Sequence, residues 1–66
     1  METGDEIDIV LAKEGREPHQ AVGYLPDGTM IVVNQGRAQL GQTVTVTITS
    51  SLQTAAGRLF FGELKG

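Results

Sequence analysis

Few residues of this chain are of the types that perform covalent or metal chemistry. Its 66 residues include no cysteine and a single histidine, His19. Nucleophilic catalysis needs a nucleophile held beside a base, and a zinc site needs several cysteine or histidine ligands. His19 lies in a loop that also contains Gly15 and Pro18, and no pattern brings a serine or a carboxylate to it. We therefore predict no catalytic residue, no bound metal and no cofactor.

An acidic group near the start of the chain is the other candidate for metal binding. Asp5, Glu6 and Asp8 lie close together in the sequence. Neighbours along a strand point to opposite faces, so only Glu6 and Asp8 share a face. Two carboxylates are few for a dedicated calcium or magnesium site. This pattern favours a solvated start of a strand, which also discourages pairing with other chains.

The charge distribution limits the partners of the chain. Its formal net charge is −3, whereas affinity for phosphate comes largely from lysine and arginine. The first eight residues carry four acidic and no basic side chains, and the remainder carries five basic and four acidic ones. A modest basic surface can therefore form beyond residue 8, but a strong basic field cannot.

Loop cations, aromatic rings and amide side chains form a candidate RNA-binding set. Loop cations follow an RNA backbone, rings on a sheet surface stack unpaired bases, and amides hydrogen-bond sugars or base edges. Alternation that places Leu59 in the core puts Phe61 inside and Phe60 outside, and a bulge would reverse this. The predicted RNA-binding residues are Lys13, Arg16, Gln20, Tyr24, Asn34, Gln35, Arg37, Arg58 and Phe60.

Apolar residues recur with the period of β-strands. Val44, Val46 and Ile48 alternate with threonines, and Ile7, Ile9 and Leu11 alternate with Asp8, Val10 and Ala12. This period and its β-branched residues are typical of half-buried strands, with the isoleucines and valines in the core and the threonines outside.

A hairpin is predicted around Asp27-Gly28, because this pair readily forms a two-residue turn between apolar runs. Such a turn places Leu25 opposite Met30, Tyr24 opposite Ile31 and Val22 opposite Val33. Both faces of the hairpin are apolar, so one is left over as a contact surface. That surface is either Leu25, Met30 and Val32 or Tyr24, Ile31 and Val33.

The remaining segments complete an all-β arrangement. Loops are predicted over 13–20 and 34–42, a longer link with room for one helical turn over 50–57, and a last strand over 58–64. Gly23, within a strand, indicates a bulge, a sharp bend or a close approach of another backbone. The fold class is a small five-stranded OB-like antiparallel barrel, in one domain over 1–66 that is ordered over about 4–64.

Two segments resemble the TRAM domain. They are Pro18–Val33 and Val46–Arg58, and they match in order and spacing. The likeness runs from about Gly4 to Phe61 and is greatest to the C-terminal TRAM domain of bacterial PIN/TRAM-domain proteins.

This resemblance implies an OB-like barrel that binds tRNA or another structured RNA and delivers it to a linked domain. That domain would be a PIN-type, metal-dependent ribonuclease preceded by membrane-spanning helices. Neither the ribonuclease domain nor the membrane-spanning helices are within these 66 residues, so we expect this chain to have no enzymatic activity of its own and no membrane contact. Its apolar runs are too short to span a bilayer and its acidic N-terminus is unlike a targeting peptide. We expect a cytoplasmic location, with the parent protein anchored in a membrane by resemblance.

An alternative function remains open from the sequence. The spare apolar face of the hairpin would suit a protein-interaction or oligomerisation module that docks on a companion catalytic domain or on a second copy.

Overall fold

The computed structural model describes residues 1–65 and contains five strands and one short 3-10 helix. The strands are β1 (Glu6–Glu14), β2 (Ala21–Tyr24), β3 (Met30–Asn34), β4 (Thr43–Thr54) and β5 (Gly57–Leu64), and the 3-10 helix is Arg37–Gln39. The all-β prediction is therefore confirmed.

The strands close into a barrel in the order β1-β2-β3-β5-β4. Every neighbouring pair is antiparallel except β3 and β5, which are parallel. The exception follows from the topology: β4 runs against β1, β5 runs against β4, and β5 therefore points the same way as β3. The predicted OB-like barrel is confirmed, with mixed rather than uniformly antiparallel strands.

The core is aliphatic and lies inside the barrel. The alternation predicted for β1 and β4 is confirmed, since Ile9, Leu11, Val46 and Ile48 are buried while most of the threonines are exposed. The other buried core residues are Ala21, Ile31, Val33 and Phe60.

The hairpin between β2 and β3 has a register one residue away from the predicted one. Tyr24 pairs with Met30, and Val22 pairs with Val32. The turn contains three residues because the Gly28 N–H donates to the Leu25 carbonyl at 2.9 Å, and Gly28 then takes a φ of +93°. This is a three-residue loop with a bulge, which the Asp-Gly pair also supports.

A side-chain hydrogen bond supports the same turn. The Thr29 N–H donates to Asp27 Oδ1 at 2.9 Å, and this bond holds the pKa of the Asp27 carboxyl below its usual value. Because the pKa is lowered in the folded protein, the bond stabilises the turn at pH values above the ordinary pKa of an aspartate carboxyl. The contribution disappears as the pH falls through the lowered value.

The segment after Ile48 is also different from the prediction. The expected link over 50–57 is strand as far as Thr54, and a tight turn at 55–56 leads directly into β5. A register shift between Ile48 and Ser50 lets Ser50 pair with Phe61. Serine, threonine and glutamine are common in loops, which is why the sequence predicts a link here. The same side chains also suit the solvent-facing side of β4, whose pairing partner β5 follows after a two-residue turn.

The predicted exposure of Phe60 is wrong. Phe60 is 6% exposed, pairs with Ile31 of β3 and lies in the core, whereas Leu59 and Phe61 are half-buried on the outer face. The alternation was counted from Leu59 as a core residue. The outer face of this part of the sheet is itself apolar, so hydrophobicity could not distinguish the two sides.

A bulge in β1 and a glycine in β2 fit together. A Cβ on Gly23 would lie 2.6 Å from the Val10 carbonyl oxygen, which confirms the predicted close approach. Leu11 pairs with Gly23 and Lys13 with Val22, so one residue of β1 is extra. Without the bulge Lys13 would share the core face of Leu11, and the extra residue turns it outward.

Candidate nucleic-acid interface

An open groove of about 480 Å³ runs over the outer face of β2, β3, β5 and the far half of β4. We call it the outer groove. Its floor is apolar, and the loop between β1 and β2 forms one wall. The floor residues are Val22, Met30, Val32, Leu52, Leu59 and Phe61, and the wall residues are Lys13, Glu14, Gly15, Arg16, Glu17 and Gln20.

Strand pairing explains why these apolar side chains meet. Residues directly opposite each other in a sheet share a face, so paired positions form rows across the strands. One row joins Val22, Val32 and Phe61, and the next joins Tyr24, Met30, Leu59 and Leu52. The one-residue shift in the hairpin and the register of β5 together decide that these rows face outward.

Tyr24 lies at the β2 end of its row and is 44% exposed. The ammonium of Lys13 lies 5.6 Å from the centre of the Tyr24 ring, within the range of a cation–π interaction. The bulge in β1 makes this contact possible because it turns Lys13 to the outer face. An aromatic ring and a cation therefore stand together at one margin of the outer groove.

The wall loop is held by hydrogen bonds of its own. The Gly15 N–H donates to the Gln20 carbonyl at 2.8 Å, and the Gln20 amide donates to Asn34 Oδ1 of β3 at 3.1 Å. Arg16 is exposed in this loop, and within residues 1–65 it takes part in no salt bridge. Lys13, Arg16 and Gln20, three of the predicted site residues, therefore come together on one side of the groove.

Arg37 forms its contacts with other residues of the protein. Its guanidinium lies 2.9 Å from Glu14 Oε1 and donates to the Pro18 carbonyl at 2.6 Å. Its backbone N–H also donates to the His19 carbonyl at 3.3 Å. Arg37 thus braces the wall loop from outside the groove, whereas the sequence predicts it to contact RNA.

Asn34 and Gln35 lie at the barrel rim rather than on the groove floor. They line a hollow with His19, Glu63 and Leu64. Gln35 adopts a φ of +63°, which is uncommon for a residue other than glycine. The Glu63 carboxylate disfavours a phosphate there, so the amides of this hollow suit neutral polar groups better than charged ones.

Arg58 lies at the opposite end of the groove from the wall loop. It lines a hollow that shares Met30 and Leu59 with the groove floor, and it is exposed. No salt bridge among residues 1–65 involves it. The groove therefore has cations at two separate places, with an apolar floor between them.

Phe61, which the sequence analysis placed in the core, lines the groove, and Phe60, which it placed in the site, does not. Phe60 cannot stack a base because its ring is in the core. Phe61 takes the outward position on the groove floor. No bulge in β5 causes this exchange, because the strand alternates regularly from Leu59 to Gly62 with Leu59 facing outward. No local sequence signal predicts it, since this part of β5 is apolar on both faces.

The acidic residues of β1 lie on another side of the barrel. Asp8 pairs with Thr45 of β4, and the Thr45 hydroxyl donates to Asp8 Oδ1 at 2.7 Å. Glu6 forms a salt bridge of 2.9 Å with Lys65. In the strand order the β1–β4 seam lies across the barrel from β3, the central strand of the groove floor.

Two further features of the described residues bear on chemistry. Over residues 1–65 no three histidine, aspartate or glutamate side chains are placed to share a metal ion. In the same part of the chain no helix has the length and apolar character needed to cross a bilayer.

Known proteins similar to this chain share one domain. A Thermus thermophilus protein from the scsB 5′ region is 49% identical over 63 residues, which cover 96% of this chain and 68% of that protein. A PIN and TRAM-domain containing protein of the same species is also 49% identical over 63 residues. Another, from Bacillus subtilis, is 50% identical over 62 residues. No solved structure gives a significant match.

The lengths of these relatives place the match within larger proteins. This chain spans 19% of the Thermus thermophilus PIN and TRAM-domain protein and 17% of the Bacillus subtilis one. The family model of the TRAM domain matches residues 1–60, nearly the whole chain. The resemblance inferred from the sequence is thereby confirmed, and the chain belongs to the TRAM domain family.

Proposed function

We propose that this TRAM domain is an RNA-binding accessory module and that the outer groove is its RNA-binding surface. TRAM domains typically bind RNA and are not themselves catalytic. The single observation that carries the assignment to this groove is its composition. An apolar floor that includes the half-buried Phe61, with the exposed Tyr24 at its margin, is bordered by cations that form no ion pair within the described residues.

The groove offers both kinds of contact that RNA requires. Bases have apolar faces that stack on aromatic and aliphatic side chains, and phosphates need cations at the margins. Lys13 and Arg16 supply cations at the wall, and Arg58 supplies one at the far end. The side chain of Gln20 donates to Asn34 Oδ1 and accepts from the Glu17 N–H, so its role would be to hold the wall loop in position.

In the parent protein, this module would deliver tRNA or another structured RNA to a linked PIN-type nuclease domain in the cytoplasm. Relatives named as PIN and TRAM-domain proteins support the linkage. The present chain corresponds to a small part of their length, so the catalytic step would belong to the remainder. The role of this domain would be to raise the local concentration of RNA near that site.

A titration of labelled tRNA tests the proposal, with Arg16→Gln compared against Lys65→Gln. Each substitution removes one positive charge, but Lys65 pairs with Glu6 near the β1–β4 seam. We expect Arg16→Gln to weaken binding about three- to tenfold at low salt, because it removes a phosphate contact. Lys65→Gln should stay within about twofold of the wild type. Equal losses in both variants, or no binding by the wild type at low salt, would contradict the proposal.

Docking of a protein is the second candidate function, and the exposure of Leu52 on the groove floor favours it. Leu52 is 51% exposed at the edge of a contiguous apolar surface. Such surfaces commonly bind partners. A Leu52→Ser variant that loses association with a separately expressed PIN domain, while Arg16→Gln retains it, would support docking over RNA binding.

A further inference from the structure

The outer groove has a geometry that bears on the form of RNA it would accept. We propose that it takes a short unpaired segment of RNA, an inference that rests on the proposed function. One base stacks on Tyr24 and another on Phe61, and the groove does not bind a double helix.

The spacing of the two rings is the first argument. Tyr24 lies on β2 and Phe61 on β5, with β3 between them, and they belong to adjacent rows of the outer face. Strand spacing and side-chain repeat place the two residues roughly 12 Å apart. Neighbouring bases in a double helix are only about 3.4 Å apart. Bases on both rings must therefore be separated from each other, which a single strand permits and a duplex does not.

The surface between the rings is the second argument. Met30, Val32 and Leu59 fill it with apolar groups, and Val32 is 8% exposed. A phosphate placed there would lose water without gaining a hydrogen bond. Base faces suit this floor, so the backbone must lie along the margins. An arrangement with bases toward the protein is available only to unpaired nucleotides, since paired bases face each other.

The position of the cations is the third argument. Lys13 stands over the Tyr24 ring, and Arg16 follows in the wall. A base that displaces Lys13 from the face of the Tyr24 ring would have both cations next to it for its own phosphate. Double-stranded RNA is recognised through many phosphate and 2′-hydroxyl contacts across successive grooves. The three cations bordering this groove, Lys13, Arg16 and Arg58, are too few for such contacts.

The experiment compares two forms of one RNA. A labelled single strand of six nucleotides, and the same strand annealed to its complement as a blunt duplex, are titrated with the wild-type protein over a range of salt concentrations. We expect the single strand to bind at least tenfold more tightly. Its log affinity should fall with log salt concentration with a slope of about −2 or shallower, because three phosphate contacts at most are available.

Tyr24→Leu connects the preference to the groove. It removes the aromatic face while retaining an apolar side chain at an exposed position. We expect it to weaken single-strand binding about fivefold or more and to leave duplex binding unchanged, because only the unpaired base stacks on this ring. The thermal unfolding midpoint of the variant checks that its fold is intact.

The outcomes separate this inference from the function on which it rests. A duplex that binds as tightly as the single strand, or a slope much steeper than −2, overturns the inference while RNA binding stands. Failure of both RNA forms and of tRNA to bind at low salt overturns the proposed function as well. A molar mass by light scattering that shows a stable dimer, together with absent RNA binding, assigns the groove to a second copy instead.

Discussion

Phe60 and Phe61 are adjacent in the sequence but face opposite sides of the barrel wall. The Phe60 ring is in the core beside Ile31, and Phe61 lies on the floor of the outer groove. Substitution of each by leucine retains an apolar side chain and removes the aromatic face. The pair therefore provides a matched test of the site at the scale of single residues.

We expect Phe60→Leu to lower stability by about 1–2 kcal/mol, because it leaves unfilled space in a packed core. Phe61→Leu should affect stability less and weaken binding of single-stranded RNA about fivefold or more, because base stacking on its ring is lost. Urea unfolding and RNA titration measure the two effects. Loss of RNA affinity in folded Phe60→Leu, with Phe61→Leu unaffected, would contradict the assignment of Phe61 to the site.

The wall loop depends on an element outside the groove. Arg37, in the 3-10 helix after β3, bonds to both Glu14 and Pro18 and so connects the end of β1 with the interior of this loop. Both side chains of the ion pair are about half exposed, so its contribution to global stability is small. Its greater effect should be on the mobility of the loop that carries Arg16.

Arg37→Gln tests this bracing role. We expect faster hydrogen exchange at the Gly15 amide, which is bonded to Gln20, with a change in unfolding free energy below about 1 kcal/mol. RNA affinity should fall a few-fold while its salt slope is unchanged, because no phosphate contact is lost. Lys65→Gln breaks the other salt bridge of the described residues and serves as the control, with unchanged loop exchange. A slope shallower by about 0.7 in Arg37→Gln would instead mean that Arg37 contacts phosphate, as its sequence position predicts.

At the scale of the whole molecule, the barrel separates the acidic residues at the start of β1 from the groove. The net charge of −3 therefore overstates the repulsion that RNA meets at the groove. Asp8, on the β1–β4 seam, is five residues from Lys13 along β1, a distance of roughly 16 Å in an extended strand. Glu14 and Glu17, in contrast, line the groove itself, and Glu14 is paired with Arg37. The Debye length at physiological salt is about 8 Å, so Glu17, which forms no salt bridge among the described residues, should matter most there.

Glu17→Gln and Asp8→Asn change the net charge by the same amount and so test this separation. We expect Glu17→Gln to strengthen RNA binding about two- to threefold at physiological salt and Asp8→Asn to leave it unchanged. The measurement is an RNA titration of both variants at matched ionic strength. An equal gain in both variants would show that total charge, rather than its placement, governs affinity.

Much of the fold follows from local sequence pattern. The alternation of Ile9 and Leu11 in β1, and of Val46 and Ile48 in β4, was sufficient to predict both strands and their buried faces. Period-two hydrophobicity is a property of a few consecutive residues, and the outward face of β4 is a row of threonines. The TRAM resemblance was likewise readable, because it depends on the order and spacing of motifs along the chain.

The site residues depended on pairing between distant segments. The sequence by itself determined that this chain forms a strand-rich barrel with cations beside Gly15 and near the final strand. Only the tertiary structure decided that Phe61 faces the groove, that the β1 bulge turns Lys13 toward Tyr24, and that Arg37 is occupied by Glu14. In the first two cases the segments involved are apolar on both faces or can shift by one residue, and in the third the fold brings the 3-10 helix beside the end of β1. Closure of the barrel selects the register, and a shift of one residue reverses which side chains face outward.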